Sequence, residues 1–310
     1  MGVKHTEIDN LPGGIIAVNK PVGISSHDVV NKIRRIYGAK RVGHAGTLDP
    51  LAEGVLVVLI GRAAKACEYI SSDKKAYTAT LRLGLETDTE DITGEVISRY
   101  DGELPTSEQV LAVAGGFRGR IMQVPPMYSA LKVGGQKLYD LARRGVTVER
   151  QAREVEIFDI VCEPTDRAED YILHISCSGG TYIRTLCADI GKALGCGGVM
   201  ATLRRDEACG ITLDLTHTLD ELSDMDEAER MGVLIDTEKM FFDLPRVVLP
   251  QFFEKLFRDG CPIYQKKIKV NIPNGQRVRI CSADGVFFAL GQSGEADDEA
   301  VVRSIKIFRL

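Results

Sequence analysis

Tryptophan is absent from this sequence of 310 residues, and aromatic residues make up only 6% of it. No apolar run approaches the roughly 20 residues that a membrane-spanning helix needs, so we expect no membrane association. The first ten residues are polar and lack the apolar centre of a secretory signal peptide. These absences predict a globular protein of the cytoplasm.

Metal-binding and disulfide patterns are missing as well. The eight cysteines include no Cys-x-x-Cys pair, and the five histidines include no His-x-x-x-His pair. Most of the cysteines lie within apolar stretches, which predicts reduced core thiols instead of a disulfide framework or a zinc site. Walker and Rossmann glycine patterns are also lacking. We therefore expect no metal and no cofactor.

The charge balance is acidic but unevenly distributed. A net charge of −5 does not indicate a nucleic-acid-binding protein, although distribution matters more than the sum. Basic residues cluster at 32–41, 132–153 and 204–205, whereas acidic residues concentrate at 220–229 and 295–299. This segregation predicts that one face could bind a polyanion. The alternative for any single cluster is ordinary solvated surface charge.

One glycine-rich stretch, residues 43–54, stands directly before the apolar run 55–60. Its glycines supply backbone freedom, and Pro50 pushes Asp49 out of the helical region. The apolar run predicts a buried strand. Asp49 is thus expected on a restrained loop beside a sheet, a location typical of catalytic groups. The alternative is a plain turn with a capping Asp.

Periodicity and turn signals predict an α+β protein with a mixed, mostly antiparallel sheet, helices around a central cleft and a small C-terminal β-barrel. Predicted strands cover 14–19, 55–60, 75–83, 154–162, 171–177, 199–205, 276–283, 286–291 and 301–308. Predicted helices include one capped by Ser25 or Ser26 and ended by Gly38, one that carries Ile183 and is ended by Gly195, and one opened by Pro250 and capped by Gly260. The other predicted helices are 62–70, 106–114, 136–144 and 220–231. We predict domains at 1–244 and 245–310, with a basic, Gly- and Pro-rich insertion at about 117–153.

Six motifs, in order, then resemble those of the bacterial tRNA pseudouridine synthase family of the TruB type. They are Lys20-Pro-x-Gly-x-Ser-Ser26, Gly43-His-Ala-Gly-Thr-Leu-Asp-Pro-Leu-Ala-x-Gly54, Lys75-x-Tyr77, Pro125-Pro-Met-Tyr-Ser-Ala-Leu-Lys132, Gly180-Thr-Tyr-Ile-Arg-Thr185 and Leu203-Arg-Arg205. The resemblance covers about residues 14–210. No single motif is decisive, but their order makes a chance match improbable.

The resemblance implies an enzyme that isomerises a uridine in the T-loop of tRNA, at position 55, to pseudouridine. It implies that Asp49 is the essential carboxylate, that Tyr77 stacks on the target base and that Arg184 pairs with Asp49. Whether Asp49 acts as a nucleophile or removes a ribose proton stays open. Burial would raise the pKa of Asp49, and we expect the arginine to oppose this and keep the carboxylate ionised.

Further roles follow from the same resemblance. Tyr182 and Leu203 correspond to walls of the site, and His44 to a residue that helps to displace the target uridine. Four basic residues are predicted to contact the RNA. They are Lys20 near the N-terminus and Lys132, Arg143 and Arg144 in the insertion. The segment 117–153 corresponds to a mobile element that grips RNA, and 245–310 to a PUA-like RNA-binding domain. The expected partner is tRNA, bound by a monomer.

Without the resemblance, plainer interpretations compete. Tyr77, Tyr182 and Leu203 would be core residues, Arg184 a solvated residue at a helix start, and His44 a loop donor. A tRNA-binding folding chaperone in which catalysis is secondary is the main alternative function. An aspartyl-phosphate hydrolase is disfavoured because the motif lacks a second nearby Asp and the sequence lacks a magnesium cluster.

Overall fold

A computed structural model of the protein describes residues 13–70, 74–129 and 131–308. The strands are β1 Gly14–Lys20, β2 Val42–Ala45, β3 Glu53–Ile60, β4 Lys75–Leu83, β5 Leu85–Thr87, β6 Val96–Arg99, β7 Gly119–Gln123, β8 Lys132–Val133, β9 Gln136–Lys137, β10 Arg153–Pro164, β11 Asp170–Cys177, β12 Gly198–Ala208, β13 Ile211–Thr212, β14 Ile235–Asp236, β15 Arg246–Val248, β16 Ile263–Tyr264, β17 Arg277–Cys281, β18 Phe287–Ala296 and β19 Glu299–Ile307. The helices are α1 Ser26–Ile36, α2 Ser107–Gly115, α3 Leu138–Ala142, α4 Ile183–Leu194, α5 Leu219–Asp224, α6 Glu227–Gly232, α7 Gln251–Arg258 and α8 Gln265–Ile268.

A ten-stranded sheet forms the larger part of the protein. Its main path is β14-β1-β3-β12-β4-β11-β10-β7, with β2 paired to β3 and β13 paired to β12. All of these pairs are antiparallel except β3 with β12, which run parallel. The parallel pairing sets Glu53 opposite Arg204 and Gly54 opposite Arg205. The predicted mixed, mostly antiparallel sheet is confirmed, and its parallel seam lies beside the start of β3.

The core under the centre of this sheet follows from strand and helix periodicity. In β4, Tyr77 and the alternate residues after it are buried, as the predicted alternation requires. Helix α4 buries an apolar face against them and ends at Gly195, which adopts a left-handed conformation at φ 76°. The same cluster includes Leu48 and Leu203. The loop before β3 is therefore anchored in the core by Leu48.

The C-terminal part is a five-stranded sheet in the order β15-β17-β18-β19-β16. The predicted hairpin around 284–285 is confirmed by the antiparallel pairing of β17 with β18. The Phe241, Phe287 and Phe308 rings pack together, and all three belong to a core cluster that also contains residues of β1 and β3. The two sheets therefore share an apolar core. The domain division at 244/245 stays a prediction.

Three predicted helices differ from the observed ones. The segment 136–144 begins with strand β9 and forms the shorter helix α3 at Leu138–Ala142. The segment predicted as helix 62–70 forms a short 3-10 helix at Gly61–Ala66. The segment 220–231 forms two helices, α5 and α6, instead of one. The reason for the break is that Asp226 starts a second capping box with Glu229, which ends the first helix at the extended residue Met225.

The predicted insertion 117–153 is shorter than expected. Strand β7 occupies its first part and forms the edge of the large sheet by pairing with β10. Between these strands lie the two-stranded ribbon β8–β9 and the short helix α3. Only this middle part stands outside the sheet. The sequence pattern missed β7 because the flanking Gly and Pro residues resemble loop composition.

Four of the eight cysteines, at 177, 187, 196 and 281, are buried, Cys261 is exposed, and all eight are free thiols. This agrees with the prediction of reduced thiols. Among the described residues, no group of three or more His, Cys, Asp or Glu side chains is arranged to hold a metal ion. None of the helices in the described part is long and apolar enough to cross a bilayer.

Candidate active site

The loop that carries Asp49 is fixed from the N-terminal side of the chain. The Ser26 hydroxyl donates to the Leu48 carbonyl at 3.0 Å and accepts from the Leu48 amide at 2.8 Å. The Gly23 amide donates to the Pro50 carbonyl at 2.8 Å. The residues on both sides of Asp49 are thus hydrogen-bonded to the first motif. These hydrogen bonds hold the backbone of Leu48 and Pro50, and the Asp49 side chain between them faces a cavity.

Lys20 stabilises the same loop from beneath. Its side chain is fully buried, and its ammonium donates to the carbonyls of Ala52 and Pro21. Burial lowers the pKa of Lys20 to about 8, with Arg205 adding to the effect and Asp49 opposing it. A side chain enclosed in this way offers no surface to a bound RNA. Its burial favours a role in shaping the loop over the predicted direct contact with substrate.

Arg205 is a second buried cation that holds the loop, and the sequence analysis assigned no site role to it. Its Nε donates to the Val55 carbonyl at 2.7 Å, and its terminal nitrogens donate to the carbonyls of Gly46 and Thr47 at 3.2 and 3.4 Å. Its exposed fraction is 0%. Gly54 allows the backbone of Arg205 to lie against the start of β3, because a Cβ at Gly54 would lie 2.3 Å from the Arg205 carbonyl oxygen.

Arg184 reaches Asp49 from the first turn of α4. Its Nε lies 3.0 Å from Oδ2 of Asp49, and Oδ2 of Asp91 lies 3.8 Å from Nη1. The remaining donors are directed to the carbonyls of Thr89 at 3.1 Å and Tyr128 at 2.7 Å. The arginine is buried. The alternative of a solvated residue at a helix start is therefore wrong, and the expected pairing with Asp49 is present.

The pKa of Asp49 lies above its ordinary value because burial penalises the carboxylate, and the nearby Asp91 adds to the rise. Arg184 and Lys20 lower it by their positive charge without cancelling the burial. The expectation that the arginine opposes the effect of burial on this pKa is confirmed. Arg184 limits the rise, and Asp49 ionises at a higher pH than a solvated aspartate.

A cavity of about 240 Å³ brings together five of the predicted residues: Asp49, Tyr77, Tyr182, Arg184 and Leu203. Tyr77 is only 7% exposed, and burial raises the pKa of its phenol, which keeps it neutral. A neutral phenol is a weak base but an intact stacking surface. The cavity therefore combines one carboxylate, one guanidinium and a flat aromatic face, a set suited to a planar substrate.

The cavity wall also includes four side chains to which the sequence analysis assigned no role. Lys75, Ser129 and Thr181 lie within the quoted motifs, and Arg153 lies outside them. The Arg153 guanidinium lies 4.9 Å from the centre of the Tyr182 ring and donates to the Gly180 carbonyl. The buried Gln123 of β7 bonds the backbone of Tyr182 through both its amide oxygen and its amide nitrogen. Arg153 and Gln123 therefore position Tyr182. This role is visible only from the pairing of their strands.

The other predicted contacts lie outside this cavity. His44 is on β2; its Nδ1 is buried without a partner among the described residues, and burial lowers its pKa. Arg143 and Arg144 are exposed at the end of α3, where Arg143 lies 5.4 Å from the Tyr139 ring centre. The side chain of Lys132 lies outside the described residues. The RNA-contacting roles of these residues stay predictions.

Two family models match the chain. One is described as the TruB family pseudouridylate synthase N-terminal domain and matches residues 34–183. The other is the tRNA pseudouridylate synthase B C-terminal domain and matches residues 184–251. The tRNA pseudouridine synthase B of Clostridium acetobutylicum is 36% identical over 91% of this chain and 96% of its own length. That of Ralstonia nicotianae is 41% identical over 88% of this chain and 86% of its own.

Solved structures agree in fold. The chain is similar to a crystal structure of a Cbf5-Nop10-Gar1 complex, with a TM-score of 0.73 and 25% identity over 96% of this chain and 85% of that one. A crystal structure of the archaeal box H/ACA sRNP Nop10-Cbf5 complex has a TM-score of 0.70 at 24% identity over 96% of this chain and 86% of that one, which supports the fold alone. The predicted fold is confirmed, and the small PUA-like barrel predicted at the C-terminus is a five-stranded sheet that forms half a barrel. The family matches over residues 34–251 and the relatives that are 36% and 41% identical establish that the chain belongs to the TruB family of pseudouridylate synthases.

Proposed function

We propose that this protein isomerises uridine to pseudouridine in the T-loop of tRNA and that Asp49 is its essential carboxylate. The observation that carries the proposal is the meeting of Asp49, Tyr77 and Arg184 in one cavity. The names of relatives that are 36% and 41% identical support tRNA as the substrate. In this proposal the protein acts as a monomer in the cytoplasm.

Asp49, Arg184 and Tyr77 have different roles in the proposed reaction. The bond between C1′ of the ribose and N1 of the uracil must break, and the same uracil must return through C5. Asp49 either attacks C1′ or removes a ribose proton, and both roles require the ionised form. Arg184 favours that form by lowering the pKa of Asp49. Tyr77 holds the detached ring by stacking, which tolerates rotation of the base.

The target uridine has to leave the stacked loop of the RNA to enter the cavity. Extruding a nucleotide costs a few kcal/mol, which contacts between protein and RNA must offset. The exposed Arg143 and Arg144 can supply phosphate contacts, and His44 on β2 can occupy the space that the uridine vacates. This assignment gives the three residues outside the cavity a common task, namely to stabilise the opened RNA loop.

The test is incubation of the protein with an unmodified tRNA transcript, followed by mapping of pseudouridine at single-nucleotide resolution. We expect one product in the T-loop and none in a transcript whose T-loop uridine is replaced by cytidine. A folded protein that binds the transcript and forms no pseudouridine would contradict the proposal. That result would favour the alternative of a tRNA-folding chaperone, which a refolding assay on misfolded tRNA would then examine.

A further inference from the structure

Lys75 is a cation of the cavity wall to which neither the motif pattern nor the proposed mechanism gives a task. It opens β4 two residues before Tyr77, and alternate residues of a strand face the same side of the sheet. Its side chain lines the cavity together with Asp49 and Tyr77. The lysine therefore lies next to the aromatic face on which the uracil is expected to stack.

Lys75 lies beside a second positive charge. Within the described part of the chain, no carboxylate forms an ion pair with it, and its charged neighbour is Arg205. A Cβ placed on Gly46 would lie 3.5 Å from Nζ of Lys75 and 3.4 Å from Nη1 of Arg205, so both cations face one point of the loop. The donors of Arg205 are directed to backbone carbonyls, whereas Lys75 has no such bond among the described residues.

A half-buried ammonium beside a guanidinium is unfavourable unless something compensates it. Burial and the positive charge of Arg205 both lower the pKa of Lys75. A ligand that brings negative charge or a carbonyl oxygen into the cavity would restore that pKa and provide the missing acceptor. The charge of the cavity wall is therefore complementary to a ligand that is negatively charged or carries carbonyl oxygens.

The proposed reaction generates a ligand of this kind. When the C1′–N1 bond breaks, its electron pair remains on the uracil and spreads from N1 onto the two carbonyl oxygens. This holds whether Asp49 forms a bond to C1′ or takes a ribose proton, because the uracil departs as an anion in either route. The uracil anion then bonds to C1′ through C5, which displaces the Asp49 carboxylate in the first route and is accompanied by return of the ribose proton from Asp49 in the second. The regenerated Asp49 carboxylate or water takes the proton from C5, and N1 gains one from water, so the reaction remains an isomerisation. Lys75 stays protonated throughout and exchanges no proton with the substrate.

We propose that Lys75 contacts the uracil and stabilises the negative charge that develops on a uracil carbonyl oxygen during cleavage of the C1′–N1 bond. The inference rests on the proposed function. Proximity to Tyr77 and Gly46, inside the cavity, favours the base over a phosphate as the partner. The cation at the exposed rim is instead Arg153, which is bonded to Gly180.

The experiment compares Lys75→Gln with wild type in single-turnover reactions at saturating protein, on tRNA that carries either uridine or 5-fluorouridine at the target position. Fluorine at C5 makes the departing uracil anion less basic, so it needs less help from a cation. The readout is the rate at which the N-glycosidic bond of the target nucleotide is lost. Lys74→Gln serves as the control, because it removes the same charge from the neighbouring, exposed residue.

We expect Lys75→Gln to slow the reaction of uridine by about 100-fold, the scale of losing one charge-stabilising donor. With 5-fluorouridine the loss is expected to be roughly tenfold smaller, as a dependence on leaving-group basicity requires. Lys75→Arg, which keeps the charge, should recover part of the rate. The Lys74→Gln control should react like wild type.

Two results would overturn the inference. One is a Lys75→Gln rate on uridine within about threefold of wild type. The other is an equal loss on the two substrates, which would indicate a structural or phosphate-binding role. Circular dichroism and the affinity for tRNA monitor folding of the variant, and Lys75→Met offers a second neutral variant if Gln perturbs the strand. An inactive wild-type protein would instead contradict the proposed function itself.

Discussion

Oδ2 of Asp49 lies 3.0 Å from Nε of Arg184, and this contact joins the loop before β3 to the first turn of α4. The same guanidinium faces Asp91 at 3.8 Å. One buried cation is therefore shared between two carboxylates, of which only Asp49 lines the cavity. This sharing explains why Arg184 lowers the pKa of Asp49 without cancelling the effects of burial and of Asp91.

Asp49→Asn should abolish pseudouridine formation while leaving tRNA affinity within about threefold of wild type. An amide of the same shape cannot act as a nucleophile or a base, so we expect a rate loss of roughly 10³-fold or more. Single-turnover product formation and filter binding measure the two quantities. Asp101→Asn, on the exposed surface, is the control. A variant that kept near-full activity would remove Asp49 from its assigned role.

The acid limb of the pH–rate profile should lie above the ordinary aspartate pKa of 3.8 and should move further up in Arg184→Gln. The active form is ionised, so activity is lost as the pH falls through the raised pKa. Removing the positive charge raises that pKa again. Single-turnover rates measured against pH, for wild type and variant, report the shift. An acid limb that moved to lower pH in the variant would contradict this account of the pair.

Arg205→Met should destabilise the catalytic loop. It leaves the buried carbonyl of Val55 and the partly buried carbonyls of Gly46 and Thr47 without their donor, and we expect a loss of about 2–4 kcal/mol in the free energy of unfolding. Chemical denaturation provides the measurement. Arg204→Met is the matched control, because Arg204 is exposed and its pair with Asp206 is expected to contribute less than about 1 kcal/mol. Equal losses in the two variants would show that the loop contacts of Arg205 contribute little.

Arg143→Gln combined with Arg144→Gln should weaken tRNA binding and reduce its salt dependence. Each phosphate contact that is lost lowers the slope of log K against log salt by about 0.7–0.9, so two contacts lower it by about 1.5. Binding titrations at several salt concentrations give the slope. Both residues are exposed, so the unfolding midpoint should stay unchanged. An unaltered slope would take these arginines out of the RNA interface.

Local patterns were sufficient for much of the fold. The alternation in β4 placed Tyr77 on the buried face, and the apolar stripe of α4 with Gly195 after it defined that helix and its end. Patterns failed where a partner distant in the chain decides the outcome. Strand β7 was hidden in an apparent insertion because its burial alternates but its residue types do not: the apolar Met122 is exposed and the polar Gln123 is buried.

The sequence by itself determined the family, the α+β class and the residues Asp49, Tyr77 and Arg184, because these stand in motifs whose order is readable along the chain. Tertiary structure alone decided the roles of the remaining cations. Lys20, Lys75 and Arg205 all stand in motifs, but their position in the sequence does not show what each side chain contacts. The parallel pairing of β3 with β12 brings Arg205 to the loop before β3. Lys20 is buried and bonds to backbone carbonyls, whereas Lys75 lines the cavity. A positive charge acquires its function from what surrounds it, and those surroundings come from strands far apart in the chain.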